Sequence, residues 1–221
     1  YTFEDRGGDL VTLRPEGTAP VCRAYLQHGM HNLPQPVRLY YAGPFFRYDR
    51  PQAGRYRQLH QFGIEAIGEA GETIDAEVIE LAWLLLEALG VTEVTLLLNS
   101  IGDATCRPGY IDELRSYYRS RASELVHDDC KRRLETNPLR LLDCKNGACQ
   151  PLIEAAPGSV DYLCGDCSKH WDALLGDLNA AGRSYKIDKR LVRGLDYYSR
   201  TVFEIVPPSD GQQSTLVAGG H

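Results

Sequence analysis

The chain switches between two hydrophobic periods, and the switches mark its organisation. Val37 to Tyr48 and Arg57 to Ile67 are runs rich in aromatic and β-branched residues with the two-residue period of half-buried strands. Pro51 and Gly54 break the chain between them, so the two runs read as a hairpin. Alternation sends Phe45, Arg47 and Asp49 to one side of the first strand, and Phe46 and Tyr48 to the other. On the return strand Gln61, Gly63 and Glu65 share one face; Phe62, Ile64 and Ala66 share the opposite one. The expectation is a polar face carrying Arg47, Gln61 and Glu65, and an apolar back on which His60 falls as a core histidine.

Around this hairpin the pattern predicts a strand over 11–13 and a helix over 19–29. A stripe at helical spacing (Ile74, Val78, Leu81, Leu85, Leu89) predicts a helix over 72–89 that stops at Gly90. A β-branched, apolar strand is expected over 91–99. From about residue 103 the chain turns to short helical pieces, most of the cysteines and the basic cluster Lys131-Arg132-Arg133. Strand patterning resumes at Lys186, runs through 201–206, and ends in a strand and glycine turn over 215–221. The fold class is therefore α+β: a mixed, mainly antiparallel sheet flanked by helices, with a small helical insertion domain. The domain boundaries are 1–103 with 186–221 for the main domain and 104–185 for the insertion.

Composition narrows the chemistry. With 43% hydrophobic and 24% charged residues, the 221-residue chain is ordinary for a globular protein. A formal charge of −6 excludes nucleic-acid binding through overall charge, so any RNA contact requires a local basic patch. No apolar run approaches the roughly 20 residues that span a bilayer. Without a secretory signal, a cytoplasmic location is expected, and the seven cysteines read as reduced thiols or metal ligands. Cys144, Cys149, Cys164 and Cys167 form C-x4-C, a fourteen-residue gap and C-x2-C, which suits one structural zinc, with His170 as a spare ligand. The alternative is four unligated thiols. Cys22, Cys106 and Cys130 read as small hydrophobes.

Four arginines (Arg47, Arg50, Arg55, Arg57) fall within eleven residues around the hairpin turn of this acidic chain. The stretch 43–65, GPFFRYDRPQAGRYRQLHQFGIE, resembles motif 2 of class II aminoacyl-tRNA synthetases, in the version of the histidyl-tRNA synthetase family. Two further segments, TLRPEGT at 12–18 and RLVRGLDYYSRT at 190–201, are similar to that family's motifs and stand in the family's order.

The resemblance implies ATP-dependent activation of L-histidine to histidyl-adenylate, followed by transfer to tRNA(His), with ATP used as its Mg²⁺ complex. It assigns Arg47 and Arg193 to the α-phosphate as catalytic residues, and Arg55 to the outer phosphates. Planar guanidinium forks suit phosphate and carboxylate oxygens. Glu16, Thr18 and Gln61 match the contacts to the amino group and carboxylate of histidine, and Glu65 and Tyr198 those to its ring nitrogens. Tyr197 contributes to the pocket wall; Asp49 and Tyr56 approach the adenine. Leu59 stands where the family often has an aromatic, and supplies an apolar wall in its place.

Motif 1, motif 3 and an anticodon-binding domain are not found; the resemblance implies that they lie outside residues 1–221 in a homodimeric full-length parent. The 221 residues alone are therefore expected to be weak or inactive. The rival reading is a non-catalytic, histidine-sensing paralog like the regulatory subunit of ATP phosphoribosyltransferase. Lys131-Arg132-Arg133 is a candidate contact for the tRNA acceptor arm.

Overall fold

The computed structural model describes residues 1–52, 54–193, 197–208 and 215–221. They fall into two compact units, one over Tyr1–Ala70 and one over Gly71–Pro208 with Thr215–His221.

The first unit opens with an antiparallel hairpin of β1 (Thr2–Glu4) and β2 (Leu10–Thr12). Helix α1 (Thr18–Gln27) follows, and then β3 (Val37–Phe46) and β4 (Gln58–Ile67) pair over their whole length. Both predicted strands are present, shortened at the loop; the Arg47 N–H still bonds the Arg57 carbonyl at 2.9 Å. Register puts Leu39 opposite Glu65, Tyr41 opposite Gly63, Gly43 opposite Gln61 and Phe45 opposite Leu59, all on one face. This face is the covered one, with Phe45 buried beneath it. The expected apolar back is instead the outward one. Tyr40 and Phe62 are 76% and 47% exposed, with rings stacked 6.1 Å apart, and His60 is exposed too. Helix α1 explains the inversion, because it meets β4 through Thr18, on the side of Glu65.

The second unit contains α2 (Glu72–Ala88), β5 (Thr95–Ser100), α3 (Arg107–Arg119), α4 (Asp128–Thr136), α5 (Gln150–Glu154) and α6 (Gly165–Ala180). It closes with β6 (Tyr185–Ile187), β7 (Thr201–Val206) and β8 (Val217–Gly220). The four strands form one sheet in the order β6-β5-β7-β8; only the β5–β6 pair is parallel. The strand expected from Val91 starts only at Thr95. The Val91 N–H is still occupied by the Leu86 carbonyl at the exit of α2, where Gly90 takes φ +79°.

Among the described residues, the two larger of three hydrophobic clusters carry this unit. Ile79, Leu86, Leu96, Leu98, Trp171, Leu174, Leu178, Phe203 and Ile205 join α2 and α6 to the sheet. Tyr110, Leu114, Tyr118, Leu134 and Ile153 fill a separate, all-helical core together with Cys130, Cys144 and Cys149. Between Ser100 and Tyr185 the described residues contain helices and turns but no strand. Among the described residues no helix is long and apolar enough to cross a membrane.

Candidate functional site

In the first unit, the segment before α1 is stitched to the end of β3. The Phe46 N–H bonds the Arg14 carbonyl at 2.9 Å, and Arg14 Nε donates to Pro44 O at 2.9 Å. Arg47 Nε donates to Pro15 O at 2.8 Å. These bonds tie the Pro15-Glu16-Gly17 turn and Arg47 together. Glu16 sits at the start of α1, where its carboxylate accepts the Ala19 N–H at 3.1 and 3.2 Å, a place that favours an anion. Thr18 Oγ1 donates to Glu65 Oε1 at 2.6 Å. Burial pushes the Glu65 carboxyl above its ordinary range; the Thr18 hydrogen bond opposes this and the charge of Glu16 adds to it.

Two glycines shape this face in a way the motif reading missed. A Cβ on Gly63 or on Gly17 would run into the ring of Tyr41, so the ring lies across backbone that only glycine leaves bare. Gln61, on the same face, carries a buried Oε1 with no hydrogen-bond partner. At the hairpin loop Arg55 Nε pairs with Asp49 Oδ2 at 3.0 Å, while Arg57 donates to Asp49 O and stands 4.6 Å over the Tyr48 ring. Tyr56 is exposed, and Leu59 is half-buried opposite Phe45.

In the second unit, Arg193 Nη1 pairs with Glu204 Oε1 at 2.9 Å, and Glu204 Oε2 accepts the Thr215 hydroxyl at 2.9 Å. The Arg193 guanidinium lies 5.7 Å from the Tyr198 ring, and Tyr198 is 4.8 Å from Tyr197, centre to centre. Arg107 clamps the backbone of this motif, donating to Tyr198 O at 2.6 Å as well as to Ile101 O and Gly102 O. The Gly-Leu-Asp of the motif, 194–196, lies outside the described residues.

Buried polar atoms almost always find partners. Among the described residues three side-chain atoms do not: Tyr118 Oη in the helical core, and then Gln61 Oε1 and Arg193 Nε. The last two are both residues the sequence motifs single out. One is an acceptor suited to an ammonium, and the other a donor suited to an anion.

The cysteines are arranged differently from the expectation. Cys144, Cys149, Cys164 and Cys167 do not form one group. Cys164 and Cys167, at the start of α6, lie with Asp103 and Cys106 from the loop between β5 and α3. Cys144 lies with His127 and Cys130 at the start of α4, and Cys149 Sγ stands 3.9 Å from Cys130 Sγ on the edge of that group. The physical reason is that the two pairs belong to different packing clusters: Cys144 and Cys149 sit in the helical core, whereas α6 packs on the sheet. Cys130, read from sequence as a small hydrophobe, does pack in the helical core, with His127 beside it, whereas Cys106 lies against the Asp103 carboxylate. His170, the spare ligand, donates or accepts at 2.8 Å with Asp75 Oδ2, whose other oxygen meets His221 Nδ1 at 2.9 Å. Burial alone would raise Asp75, but hydrogen bonds from His170, His221 and Thr201 hold it down at about 2.

The basic cluster on α4 is largely answered locally. Lys131 pairs with Asp128 at 3.4 Å and Arg132 with Asp129 at 2.7 Å, one helical turn apart, and Arg133 donates to Arg140 O.

Comparison with known proteins places the chain in a family. A histidine–tRNA ligase of Dehalococcoides mccartyi is 59% identical over 221 residues, which is all of this chain and 53% of that protein. The crystal structure of apo histidyl-tRNA synthetase from S. aureus matches the whole chain and 52% of its own, at 39% identity and a TM-score of 0.77. An ATP phosphoribosyltransferase regulatory subunit/histidyl-tRNA synthetase from Bacillus halodurans shares the fold at 23% identity and a TM-score of 0.67, covering 60% of that chain. The chain thus spans about half the length of the curated relatives it matches. The family model described as histidyl-tRNA synthetase covers residues 1–221, and the chain belongs to the histidyl-tRNA synthetase family.

Proposed function

We propose that this chain supplies histidine- and ATP-binding residues of a cytoplasmic histidine–tRNA ligase, which activates L-histidine with ATP and charges tRNA(His) as a homodimeric whole protein. The observation that carries the reading is Glu65, a covered carboxylate held by the Thr18 hydroxyl on the same hairpin face as the unpartnered Gln61 oxygen. An imidazole N–H and an α-ammonium are the donors such a pair of acceptors would take up. A substrate without the ring N–H would leave the half-buried Glu65 with the Thr18 hydroxyl but no donor from the ligand, and discrimination by roughly 10⁴ is within reach of a site built this way.

In this reading Glu16, Thr18 and Gln61 orient the amino and carboxylate groups, and Glu65 and Tyr198 read the ring, with Tyr197 beside it. Arg47 and Arg193 offset the repulsion between the attacking carboxylate and the α-phosphate and stabilise the charge that builds there in the transition state. Arg55 takes the outer phosphates, and Asp49 and Tyr56 approach the adenine. Magnesium enters with ATP as part of the substrate. Residues 104–185 are the proposed insertion domain. Because Lys131 and Arg132 already have acidic partners, a tRNA contact at that cluster exchanges intramolecular pairs for phosphates.

The test is histidine-dependent ATP–pyrophosphate exchange by the full-length protein, with leucine, glutamine and no amino acid as controls. Exchange with histidine alone, reduced about 10²–10³-fold by Arg193→Ala, is the expected result. Histidine binding without any exchange would transfer the reading to a histidine-sensing regulator.

A further inference from the structure

We infer that the second unit holds two separate tetrahedral zinc sites, one formed by Asp103, Cys106, Cys164 and Cys167 and the other by His127, Cys130, Cys144 and Cys149.

The spacing of donors supports this partition. Asp103 and Cys106, Cys164 and Cys167, and His127 and Cys130 are each separated by two residues; Cys144 and Cys149 are separated by four. Each site thus draws a pair of donors from each of two chain segments, the arrangement of closed structural zinc sites. The first site joins segments 58 positions apart, Cys106 to Cys164. The second joins helix α4 to the turn that leads into α5.

The distances fit a common centre. Four donors around zinc, at about 2.3 Å for sulfur and about 2.0–2.2 Å for nitrogen or oxygen, stand roughly 3.8 Å apart for two sulfurs and roughly 3.6 Å for sulfur with nitrogen or oxygen. In the second site Cys130 Sγ is 3.9 Å from Cys149 Sγ, and His127 Nδ1 is 3.4 Å from Cys130 Sγ and 3.7 Å from Cys144 Sγ. Cys144 is also within hydrogen-bonding reach of both Cys130 and Cys149. In the first site Cys106 Sγ is 3.5 Å from Asp103 Oδ1, and all four donor atoms lie within 4.8 Å of one another. His127, Cys130 and Cys144 stand close to the edge lengths of a tetrahedron, and the four donors of the first site lie within 4.8 Å of one another. Cys149, 3.9 Å from Cys130, completes the second set by closing on His127; all seven cysteines are free thiols.

The surroundings hold the ligands in place. Cys106, His127 and Cys164 each stand at the N-cap of a helix, α3, α4 and α6, so three of the donors are placed by the ordered ends of helices. Asp103 Oδ1 accepts the Thr105 and Cys106 N–H groups, and the Asp103 N–H points at Cys106 Sγ at 3.4 Å, so the ligands are themselves oriented by hydrogen bonds. Gly102, at φ +64°, leaves room that a Cβ would deny to the Cys106 sulfur. Thiolate-rich sets with one carboxylate or imidazole select zinc over the hard cations. Neither site touches the residues proposed to bind histidine or ATP, so the role is structural. One site fastens the start of α6 to the β5–α3 turn, and the other closes the helical core.

The experiment is metal analysis of the full-length protein purified under reducing conditions, with its zinc released by a mercurial into a chromogenic chelator. Two zinc ions per copy of this chain are expected, and before release only Cys22, the exposed cysteine, should react quickly with a thiol reagent. Cys130→Ser with Cys149→Ser should leave one zinc, and so should Cys164→Ser with Cys167→Ser. Cobalt substituted for zinc should show sulfur-to-metal charge-transfer bands with half the intensity in either double variant. Fewer than two zinc ions in the unmutated protein overturns the proposal. Loss of all metal from either double variant overturns it as well, since that marks a single shared site. The unmutated measurements stand even if a double variant fails to fold, and they do not depend on ligase activity.

Discussion

Thr18 Oγ1 and Glu65 Oε1 lie 2.6 Å apart across 47 residues of chain, joining the start of α1 to the return strand of the hairpin. The bond matters because Glu65 is a half-buried carboxylate whose pKa is raised mainly by desolvation. A group raised in the folded state contributes stability below its unfolded pKa, and that contribution is lost as pH rises through the folded value. At neutral pH, Glu65 is therefore a cost to the ligand-free protein. Glu65→Gln keeps an acceptor for Thr18 and removes the charge. Its expected effect is equal or greater thermal stability at pH 7, no gain well below pH 4, and histidine affinity weakened by about 1.5–3 kcal/mol, roughly ten- to a hundredfold. Differential scanning calorimetry and isothermal titration read the two effects. A variant that binds histidine normally would remove Glu65 from the site.

Gly63→Ala tests the packing of the same face. The new methyl would enter the Tyr41 ring, and ring and strand would have to separate at a cost of about 1–3 kcal/mol. Both a lower Tm and weaker histidine binding are expected, because Gly63 lies between Gln61 and Glu65 on the strand. Adding Tyr41→Leu should recover part of the lost stability. If it does not, the ring is not the cause.

The hairpin face and the cysteine clusters were legible in the sequence to different depths. The β3–β4 hairpin and its alternation could be read directly, since a two-residue period fixes which side chains share a face. Which face is covered could not be read, because that depends on where α1 lands, and Phe62 and Tyr40 are exposed apolar residues that imitate a core. Glu16, Thr18, Gln61 and Glu65 were found by resemblance; Tyr41 was not, because its importance lies in the absence of side chains at Gly17 and Gly63. The cysteine grouping failed for a similar reason. Spacing pairs neighbours in sequence, while Asp103 and His127 enter the clusters through loop and helix placement and carry no cysteine signature.

Asp75 gives the fold an acid limit. Its carboxyl is held at about 2 against an ordinary 3.8, so its contribution is present above the unfolded value and is lost as pH falls from about 4 to about 2. At 1.36 kcal/mol per unit this amounts to roughly 2 kcal/mol. Asp75→Asn should lower Tm at pH 6 and flatten the fall in stability across that window, as followed by circular dichroism. An unchanged acid transition would show that the bonds from His170 and His221 carry no net stability.

Arg183 is the clamp between α6 and α2. It makes two short bonds to Glu80, at 2.6 and 2.7 Å, reaches Glu87 at 3.1 Å, and lies 5.1 Å over the Trp83 ring. A bidentate, partly buried guanidinium of this kind outweighs an exposed pair. Arg183→Met, which keeps the apolar stem on Trp83, should cost about 1–3 kcal/mol in urea unfolding. Lysine at this position should recover less than half, since it cannot reproduce the fork.

Glu204 places Arg193 without touching any proposed substrate group. One of its oxygens accepts from Arg193 and the other from Thr215, so the guanidinium is held by a carboxylate that is itself held. Glu204→Ala frees the arginine, and loss of alignment at a charged transition state can lower the rate by up to about 10² even when the ligand still binds. The expected signature is a fall in kcat for pyrophosphate exchange with little change in the histidine Kd, partly restored in Glu204→Gln, which keeps an acceptor for Nη1. Thr215→Val, which removes only the outer bond, should have a smaller effect in the same direction. If Glu204→Ala instead raised the histidine Kd and left kcat alone, Arg193 would be acting on the bound amino acid and not on the phosphate.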